Sequence, residues 1–302
     1  MTSVSTPRRP DSEQPELRIL PVNGIEIAVW DWPGPGDAAP LLFSHGNSFH
    51  GRCWDQIIRA FPDRRCLAAE HRGHGRSTKV APPCRWRDFG EDLAAVSEEL
   101  ELQYAIGVGH SLGGYATTLA AFLRPEIYAA LILVDPTIRA PERHTLEPLD
   151  VSFVLRRRVR WESAAAMFER FRGRPPFDTW RPEILRDYCE FALLRDGEGL
   201  FLACPPAFEA SIYSLSTAPE TDISREIAAV GQRVVVMRGG PPQKAAVWDP
   251  RASHADPELA SRFRCGRDVH LPHESHYLPM ESPERVISEI GGVISSVSRG
   301  SA

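Results

Sequence analysis

A serine flanked by glycines two positions before and two positions after it is the residue in this sequence best placed to do chemistry. Ser111 stands in Gly109-His110-Ser111-Leu112-Gly113, which matches the pattern G-x-S-x-G. The pattern is typical of a sharp turn between a buried strand and a helix, where side chains at the glycine positions would collide. Such a turn lifts the Ser111 hydroxyl clear of the sheet and points the Leu112 N–H at an oxyanion formed beside it. Ser111 is therefore a candidate nucleophile, and a glycine-rich turn with an incidental serine is the alternative.

A serine nucleophile needs a base, and two histidines stand in a loop near the end of the sequence. His273 and His276 lie between a predicted strand at 268–271 and a predicted helix that begins at Pro283. An imidazole is the side chain best suited to accept a proton from a hydroxyl near neutral pH. A loop at this position would return over the sheet edge toward Ser111. The residues by themselves leave both histidines open as the base.

The segments around these residues alternate between strand-like and helix-like patterns. Asn23-Gly24 joins two strand-like segments and predicts a hairpin at an antiparallel sheet edge. Helical spacing of apolar residues over 88–100 predicts a helix with one wet face. Further apolar runs predict buried strands at 41–43, 65–70, 104–106, 129–134 and 234–237. The predicted fold class is α/β, a mostly parallel doubly wound sheet with its site at the carboxyl ends of the strands.

The alternating pattern is interrupted between residues 137 and 225. Short helical stretches separated by Pro, Gly and charged residues replace it, and no strand pair is apparent. We therefore expect residues 137–225 to form a helical cap inserted into a core made of 17–136 and 226–302, with aromatic side chains sufficient to line an apolar pocket. The basic run at 156–160 is interpreted as a solvated face, with anion binding as the alternative. Residues 1–16, rich in Ser, Thr, Pro and Arg, predict a disordered tail.

Composition excludes several classes of function. A net charge of −5 gives no electrostatic footprint for nucleic acid or an anionic membrane. The sequence lacks a secretory h-region and any run of about 18 apolar residues, so no membrane span is expected. Six cysteines without a C-x-x-C pair favour reduced thiols and a cytoplasmic location, and disulfides are the alternative because the count is even. His71 and His74 invite a metal interpretation, but no further ligands accompany them at suitable spacing, and we expect neither metal nor cofactor.

Several segments of the chain together resemble the α/β-hydrolase family, in the family's order. Ser44-His45-Gly46-Asn47 is similar to the family's oxyanion loop, and the segment 72–77 is similar to its loop after the fourth strand. The segment 109–114 is similar to the nucleophile elbow, and 276–283 is similar to the histidine loop. The resemblance implies the α/β-hydrolase fold and assigns the catalytic histidine to His276, leaving His273 as a polar loop residue. It also implies that the N–H groups of Asn47 and Leu112 form the oxyanion hole.

The acid of a catalytic triad departs from the commonest family pattern. An acid just after the seventh strand is usual, but no carboxylate follows 234–237 before Asp249. Haloalkane dehalogenases and pancreatic-type lipases place the acid after the sixth strand, where this sequence has Asp135. One helix and one strand separate Asp135 from Ser111, which places both at the same sheet edge. The resemblance therefore implies Asp135, while Asp249, Asp256 and a simple turn-capping role for Asp135 are the alternatives.

The expected activity is that of a serine hydrolase of the esterase or lipase type. It would cleave a carboxylic ester, or a related acyl compound, through an acyl-enzyme on Ser111 with His276 as general base. A small, largely apolar ester is the expected partner. A serine nucleophile is unlike the dehalogenase and epoxide hydrolase branches, which need a carboxylate. The alternatives are a carbon–carbon bond hydrolase, a cofactor-free lyase or dioxygenase using the same triad, and a non-enzymatic receptor of this fold.

Overall fold

The computed structural model describes residues 8–10, 13–36, 38–240 and 249–299. The strands in these ranges are, in chain order, β1 (Glu16–Val22), β2 (Ile25–Trp32), β3 (Leu41–Ser44), β4 (Cys66–Ala69), β5 (Ala105–His110), β6 (Tyr128–Val134), β7 (Arg160–Trp161), β8 (Leu193–Asp196), β9 (Gly199–Leu202), β10 (Arg233–Arg238) and β11 (Cys265–His270). The α-helices are α1 (Asp55–Ile58), α2 (Trp86–Glu99), α3 (Leu112–Leu123), α4 (Ser152–Leu155), α5 (Ala164–Phe171), α6 (Pro182–Phe191), α7 (Pro206–Leu215), α8 (Ser224–Ala229), α9 (Leu259–Arg262), α10 (Leu278–Glu281) and α11 (Pro283–Arg299). Short 3-10 helices span Gly51–Trp54, Pro141–Arg143, Phe177–Thr179 and Pro219–Thr221.

The main sheet of the described residues has eight strands in the order β1-β2-β4-β3-β5-β6-β10-β11. β1 and β2 pair antiparallel across the turn at Asn23 and Gly24, whose positive φ angles of 49° and 77° are those that an Asn-Gly hairpin turn requires. β2 is also antiparallel to β4, and the remaining neighbours are parallel. The predicted α/β fold class, with a mostly parallel sheet and an antiparallel edge, is confirmed.

Helices cover both faces of the sheet, which explains why the central strands are apolar on both sides. One core joins α2, α3, α8 and α9 to the sheet, and it includes Phe89, Leu93 and Leu119. The opposite core joins α1 and α11 to the other face, and it includes Ile57 and Ile290. The buried positions on α2 follow the apolar spacing that predicted a helix over 88–100.

The segment between β6 and β10 holds α4 to α8 and packs across the carboxyl ends of the strands. Its contacts with the core include a hydrogen bond from Trp86 Nε1 to Ile212 O (3.2 Å) and one from Arg76 to Phe191 O (3.2 Å). The prediction that this segment lacks paired strands is wrong, because β7, β9 and β8 form a small antiparallel sheet. Strands of two to four residues are too short to show a period in the sequence.

The start of the chain differs in part from the expected disordered tail. Residues 1–7, 11 and 12 lie outside the described ranges. Arg9, however, is only 4% exposed, and its guanidinium donates to Pro33 O (2.8 Å) and Arg64 O (2.5 Å). These carbonyl acceptors fix Arg9 on the core.

The six cysteines are free thiols, and the buried ones are Cys53, Cys66, Cys189 and Cys204. In the described ranges, every helix falls short of the length and apolar character that crossing a membrane requires.

Candidate active site

The turn at Ser111 has the strained backbone that its sequence predicted. Ser111 lies between β5 and α3 with φ 55° and ψ −120°, a conformation that costs a non-glycine residue free energy. A Cβ atom on Gly109 would lie 2.3 Å from Gly113 O, and one on Gly113 would lie 2.1 Å from Ser44 O. Only glycine fits at either position. The close backbone contacts that these glycines allow hold the Ser111 side chain at the end of β5.

Ser111, His276 and Asp135 form one hydrogen-bonded chain at the carboxyl ends of the strands. His276 Nε2 lies 3.1 Å from Ser111 Oγ, and His276 Nδ1 lies 2.5 Å from Asp135 Oδ2. Asp135 and Ser111 meet because each comes one residue after an adjacent parallel strand, β6 and β5. Thr137 Oγ1 is also 3.1 Å from Ser111 Oγ. His273, in the same loop as His276, is exposed.

Asp135 is fully buried and well supplied with donors. Gly239 N–H (2.9 Å) and Ser253 Oγ–H (2.5 Å) both donate to its Oδ1, and His276 Nδ1 faces its Oδ2. Burial alone would raise the pKa of Asp135, but these hydrogen bonds and the charge on protonated His276 outweigh it and lower the pKa to about 2. An ionised carboxylate only accepts, so Nδ1 of His276 carries the proton and Nε2 is free to accept one from Ser111.

The two competing aspartates lie elsewhere. Asp249 Oδ1 accepts a hydrogen bond from Arg251 N–H (2.9 Å) within its own turn. Asp256 accepts from Glu258 N–H (3.1 Å), and its Oδ2 is 2.8 Å from Arg262 Nε. The structure therefore brings Asp135, and neither competitor, to His276.

The predicted oxyanion donors lie beside the same cavity as Ser111. Leu112 is the first residue of α3, where N–H groups have no acceptor within the helix. Asn47 follows β3, and its side chain donates to Glu209 O (3.1 Å) on α7. A Cβ atom on Gly46 would lie 3.2 Å from Ser111 Cβ, which shows how closely the loop of Asn47 approaches Ser111. Both residues line the cavity together with Ser111.

Buried histidines form hydrogen bonds with the loop at residues 44–48, which carries Asn47. His71 Nε2 lies 3.0 Å from Ser44 Oγ, His45 Nε2 accepts from His71 N–H (3.1 Å), and His74 Nε2 accepts from Ser48 N–H (3.1 Å). Burial, more than any neighbouring charge, lowers the pKa of His71 to about 4 and that of His74 to about 3. The imidazoles are thus neutral hydrogen-bonding groups. Among the described residues, no cluster of three or more His, Cys, Asp or Glu side chains is arranged to hold a metal ion.

A narrow cavity of about 40 Å³ opens above Ser111, with a mixed lining that includes Trp86, Thr137, Arg139, Ile212, Ser216 and His254. Tyr213, Pro250 and Tyr277 also border a wider cleft of about 530 Å³, which is lined mostly by residues of the segment between β6 and β10. The sequence reasoning missed Thr137, Arg139, Ser253 and His254. For Thr137 and Arg139, their position just after Asp135 at a strand end was a usable signal; for Ser253 and His254 no local pattern was present.

Comparisons with known proteins agree with this architecture. The profile of the alpha/beta hydrolase family matches residues 41–289. The non-heme chloroperoxidase of Burkholderia pyrrocinia is 39% identical over 94 residues, which is 30% of this chain and 34% of that protein. The bifunctional esterase/perhydrolase of Acinetobacter calcoaceticus is 40% identical over 94 residues, again 30% of this chain and 34% of that protein. Each of these matches thus spans about a third of the relative's length.

Among solved structures, E-2-(acetamidomethylene)succinate hydrolase has the same fold, with a TM-score of 0.71 and 21% identity. The superposition covers 93% of this chain and 99% of that one. Because the family profile extends over most of the chain and includes the turn at Ser111, the strands from β3 onward and the loop of His276, the chain belongs to the alpha/beta hydrolase family.

Proposed function

We propose that this alpha/beta hydrolase cleaves a carboxylic ester, or a related acyl compound, through an acyl-enzyme on Ser111. The observation that supports the proposal most directly is the chain of hydrogen-bonding distances, 3.1 Å from Ser111 Oγ to His276 Nε2 and 2.5 Å from His276 Nδ1 to Asp135 Oδ2. This is the arrangement that nucleophile, base and orienting acid need for acyl transfer. The esterase among the relatives adds support from outside the chain.

Each residue then has a defined step. His276 Nε2 takes the proton as Ser111 Oγ attacks the ester carbonyl carbon, and buried Asp135 stabilises the imidazolium that forms. The N–H groups of Leu112 and Asn47 donate to the oxyanion of the tetrahedral intermediate. His276 then protonates the departing alcohol as the carbon–oxygen bond breaks. A water molecule, deprotonated by His276, attacks the acyl carbon, and His276 returns that proton to Ser111 Oγ as the bond between the acyl carbon and Oγ breaks and the acid leaves.

The cavity and the cap support a small-molecule substrate. The space of about 40 Å³ beside Ser111 accommodates a short group, and the cleft of about 530 Å³ offers room for the remainder. We propose that residues 137–225 act as the cap that selects this substrate. The free thiols support a reducing, cytoplasmic compartment.

Stopped-flow hydrolysis of p-nitrophenyl butyrate tests the proposal. We expect a burst of about one p-nitrophenol per protein molecule, followed by a slower steady state, because acylation by an activated ester outpaces deacylation. Ser111→Ala abolishes both phases. Ser97→Ala, which alters a buried serine bonded to Leu93 O, is the matched control and retains both. Retained turnover in Ser111→Ala excludes the acyl-enzyme and favours proton abstraction from substrate by His276, as in carbon–carbon hydrolases, lyases and dioxygenases.

A further inference from the structure

Arg139 is a cation in the cavity of Ser111, and the residues that the structure describes give it no counter-ion. It stands four residues after Asp135, is largely buried, and lines the same cavity of about 40 Å³ as Ser111 and His276. Its Nε donates to Ser216 O at 3.3 Å. Its terminal nitrogens form no hydrogen bond, and its guanidinium no ion pair, with any residue in the ranges that the structure covers. Burial, and then the nearby cation Arg143, lower the pKa of Arg139.

A guanidinium in this position costs free energy unless an anion pairs with it. The segment 241–248, which lies outside the described residues, contains neither Asp nor Glu in its sequence and so brings no carboxylate. Arg139 is also the only Arg or Lys among the described residues that line this cavity. The cavity therefore holds one positive charge that is available to a ligand.

The second imidazole in the cavity does not change this balance. The His254 ring centre lies 5.1 Å from that of His276. Burial, and then the neighbouring His276, lower the pKa of His254 to about 3. His254 is thus a neutral hydrogen-bonding group beside the cationic Arg139.

The wider cleft has the same sign of charge. Arg156, Arg170 and Arg174 are exposed along its border, and none of them forms an ion pair within the described part of the chain. The chain as a whole carries a net charge of −5, so this local excess of positive charge runs against the overall balance. Positive groups along an approach route raise the local concentration of anions and their rate of entry.

We propose that the substrate is an anionic acyl compound whose carboxylate pairs with Arg139 while its scissile carbonyl group lies at Ser111. The proposal rests on the acyl-transfer function given above and replaces the expectation of a largely apolar substrate. The planar guanidinium of arginine matches a carboxylate in two parallel hydrogen bonds, which fixes the orientation of the ligand as well as its charge. Because both side chains line one small cavity, carboxylate and ester group are separated by a short chain.

Binding is tested without any need for turnover. Succinate and its neutral analogue succinamide are titrated calorimetrically into the full chain. We expect succinate to bind the wild type and Arg139→Gln to weaken that binding roughly 10- to 100-fold, because a hydrogen-bonded charge pair is lost. Arg143→Gln, which removes an exposed cation four residues further on, is the matched control and stays within about threefold. Equal binding by the wild type and Arg139→Gln, or no binding of succinate to the wild type, overturns the proposal.

Kinetics then locate the carboxylate. The monoanionic p-nitrophenyl ester of succinic acid, which carries its charge on the acyl side, is compared with the neutral methyl p-nitrophenyl diester. The anion 4-acetoxybenzoate, which carries its charge on the leaving-group side, is compared with its neutral methyl ester. We expect kcat/KM to favour the anion at least tenfold in one pair, Arg139→Gln to remove that preference, and Arg143→Gln to keep it. Equal rates for anionic and neutral esters refute the role of Arg139 and leave the proposed function intact. If no ester is cleaved, the proposed function fails and the succinate titration decides the role of Arg139 by itself.

Thermal unfolding separates ligand binding from a structural role. A substrate-binding Arg139 destabilises the free protein, so Arg139→Gln should unfold at the same or a higher temperature. If the main role of Arg139 is instead structural, to hold the segment after β6 against Ser216 O, Arg139→Gln should unfold at a lower temperature than the wild type. If Arg139→Gln fails to fold, the structural role is the correct one. Arg139→Lys then keeps the charge without the planar fork, and unchanged succinate affinity in that variant also contradicts bidentate pairing.

Discussion

Replacing Asp135 by asparagine should damage catalysis through the tautomer of His276. In the native protein, two donors, Gly239 N–H and Ser253 Oγ–H, converge on Asp135 Oδ1. They will hold the amide oxygen of an asparagine at that position, which turns its NH₂ group toward His276 Nδ1. Nδ1 must then act as an acceptor, and the ring proton moves to Nε2, which faces Ser111.

An imidazole protonated at Nε2 cannot take the proton of Ser111. We therefore expect Asp135→Asn to lower kcat roughly 10³- to 10⁴-fold, about 4 to 5 kcal/mol of transition-state stabilisation, with KM little changed. Steady-state hydrolysis of p-nitrophenyl butyrate measures both constants. Asp249→Asn is the control and should cost less than about tenfold, because Asp249 accepts a hydrogen bond from Arg251 N–H within its own turn and, among the described residues, makes no hydrogen bond to His276. The reasoning is refuted if Asp135→Asn retains turnover within tenfold of the wild type, or if Asp249→Asn is the crippling change.

The remaining predictions concern the base, the elbow and the pH dependence of folding. His276→Ala should be close to inactive in the same assay and His273→Ala close to normal; the opposite ranking would move the base to His273. Gly113→Ala should lower the free energy of unfolding by more than about 2 kcal/mol in urea titrations, because its Cβ would lie 2.1 Å from a backbone carbonyl oxygen. Gly291→Ala, with open space around its Cβ, should be neutral or stabilising, and an equal loss in both variants contradicts the steric argument. The pKa of Asp135 is depressed from 3.8 to about 2, so its contribution to folding is complete above about pH 4 and is lost as pH falls through 2. The stability difference between wild type and Asp135→Asn should shrink over that range, and a constant difference refutes it.

The nucleophile elbow was predictable because its geometry is encoded locally. The close contact that requires Gly109 is with Gly113 in the same strand-turn-helix unit, whereas the one that requires Gly113 is with Ser44 on the adjacent strand β3; the spacing of the two glycines around Ser111 is nevertheless visible in the sequence. The alternation of strands and helices predicted the sheet for a similar reason, since each period belongs to one element. The proximity of Asp135 to Ser111 was predictable because residues that come just after adjacent parallel strands lie at the same edge of the sheet.

Features that depend on the path of long loops were not predictable. Ser253 reaches Asp135 from a segment more than 100 positions away, and nothing in its neighbourhood signals a partner. The small sheet of β7, β9 and β8 is built from strands of two to four residues, which are too short to show an alternation of apolar and polar residues in the sequence. The separation of Arg139 from the carboxylates of the described residues is a property of the packed structure, because the sequence contains 40 acidic residues and does not show which of them lie near it.

The acyl-enzyme on Ser111 is tested most directly by mapping a covalent adduct. The protein is treated with a fluorophosphonate, which reacts with serines activated by a neighbouring base, and the modified peptide is sequenced by mass spectrometry. We expect one adduct, on Ser111, that is absent in His276→Ala and is slowed by a competing ester. An adduct on another residue, or an unmodified Ser111 in a protein that still hydrolyses esters, would contradict the mechanism.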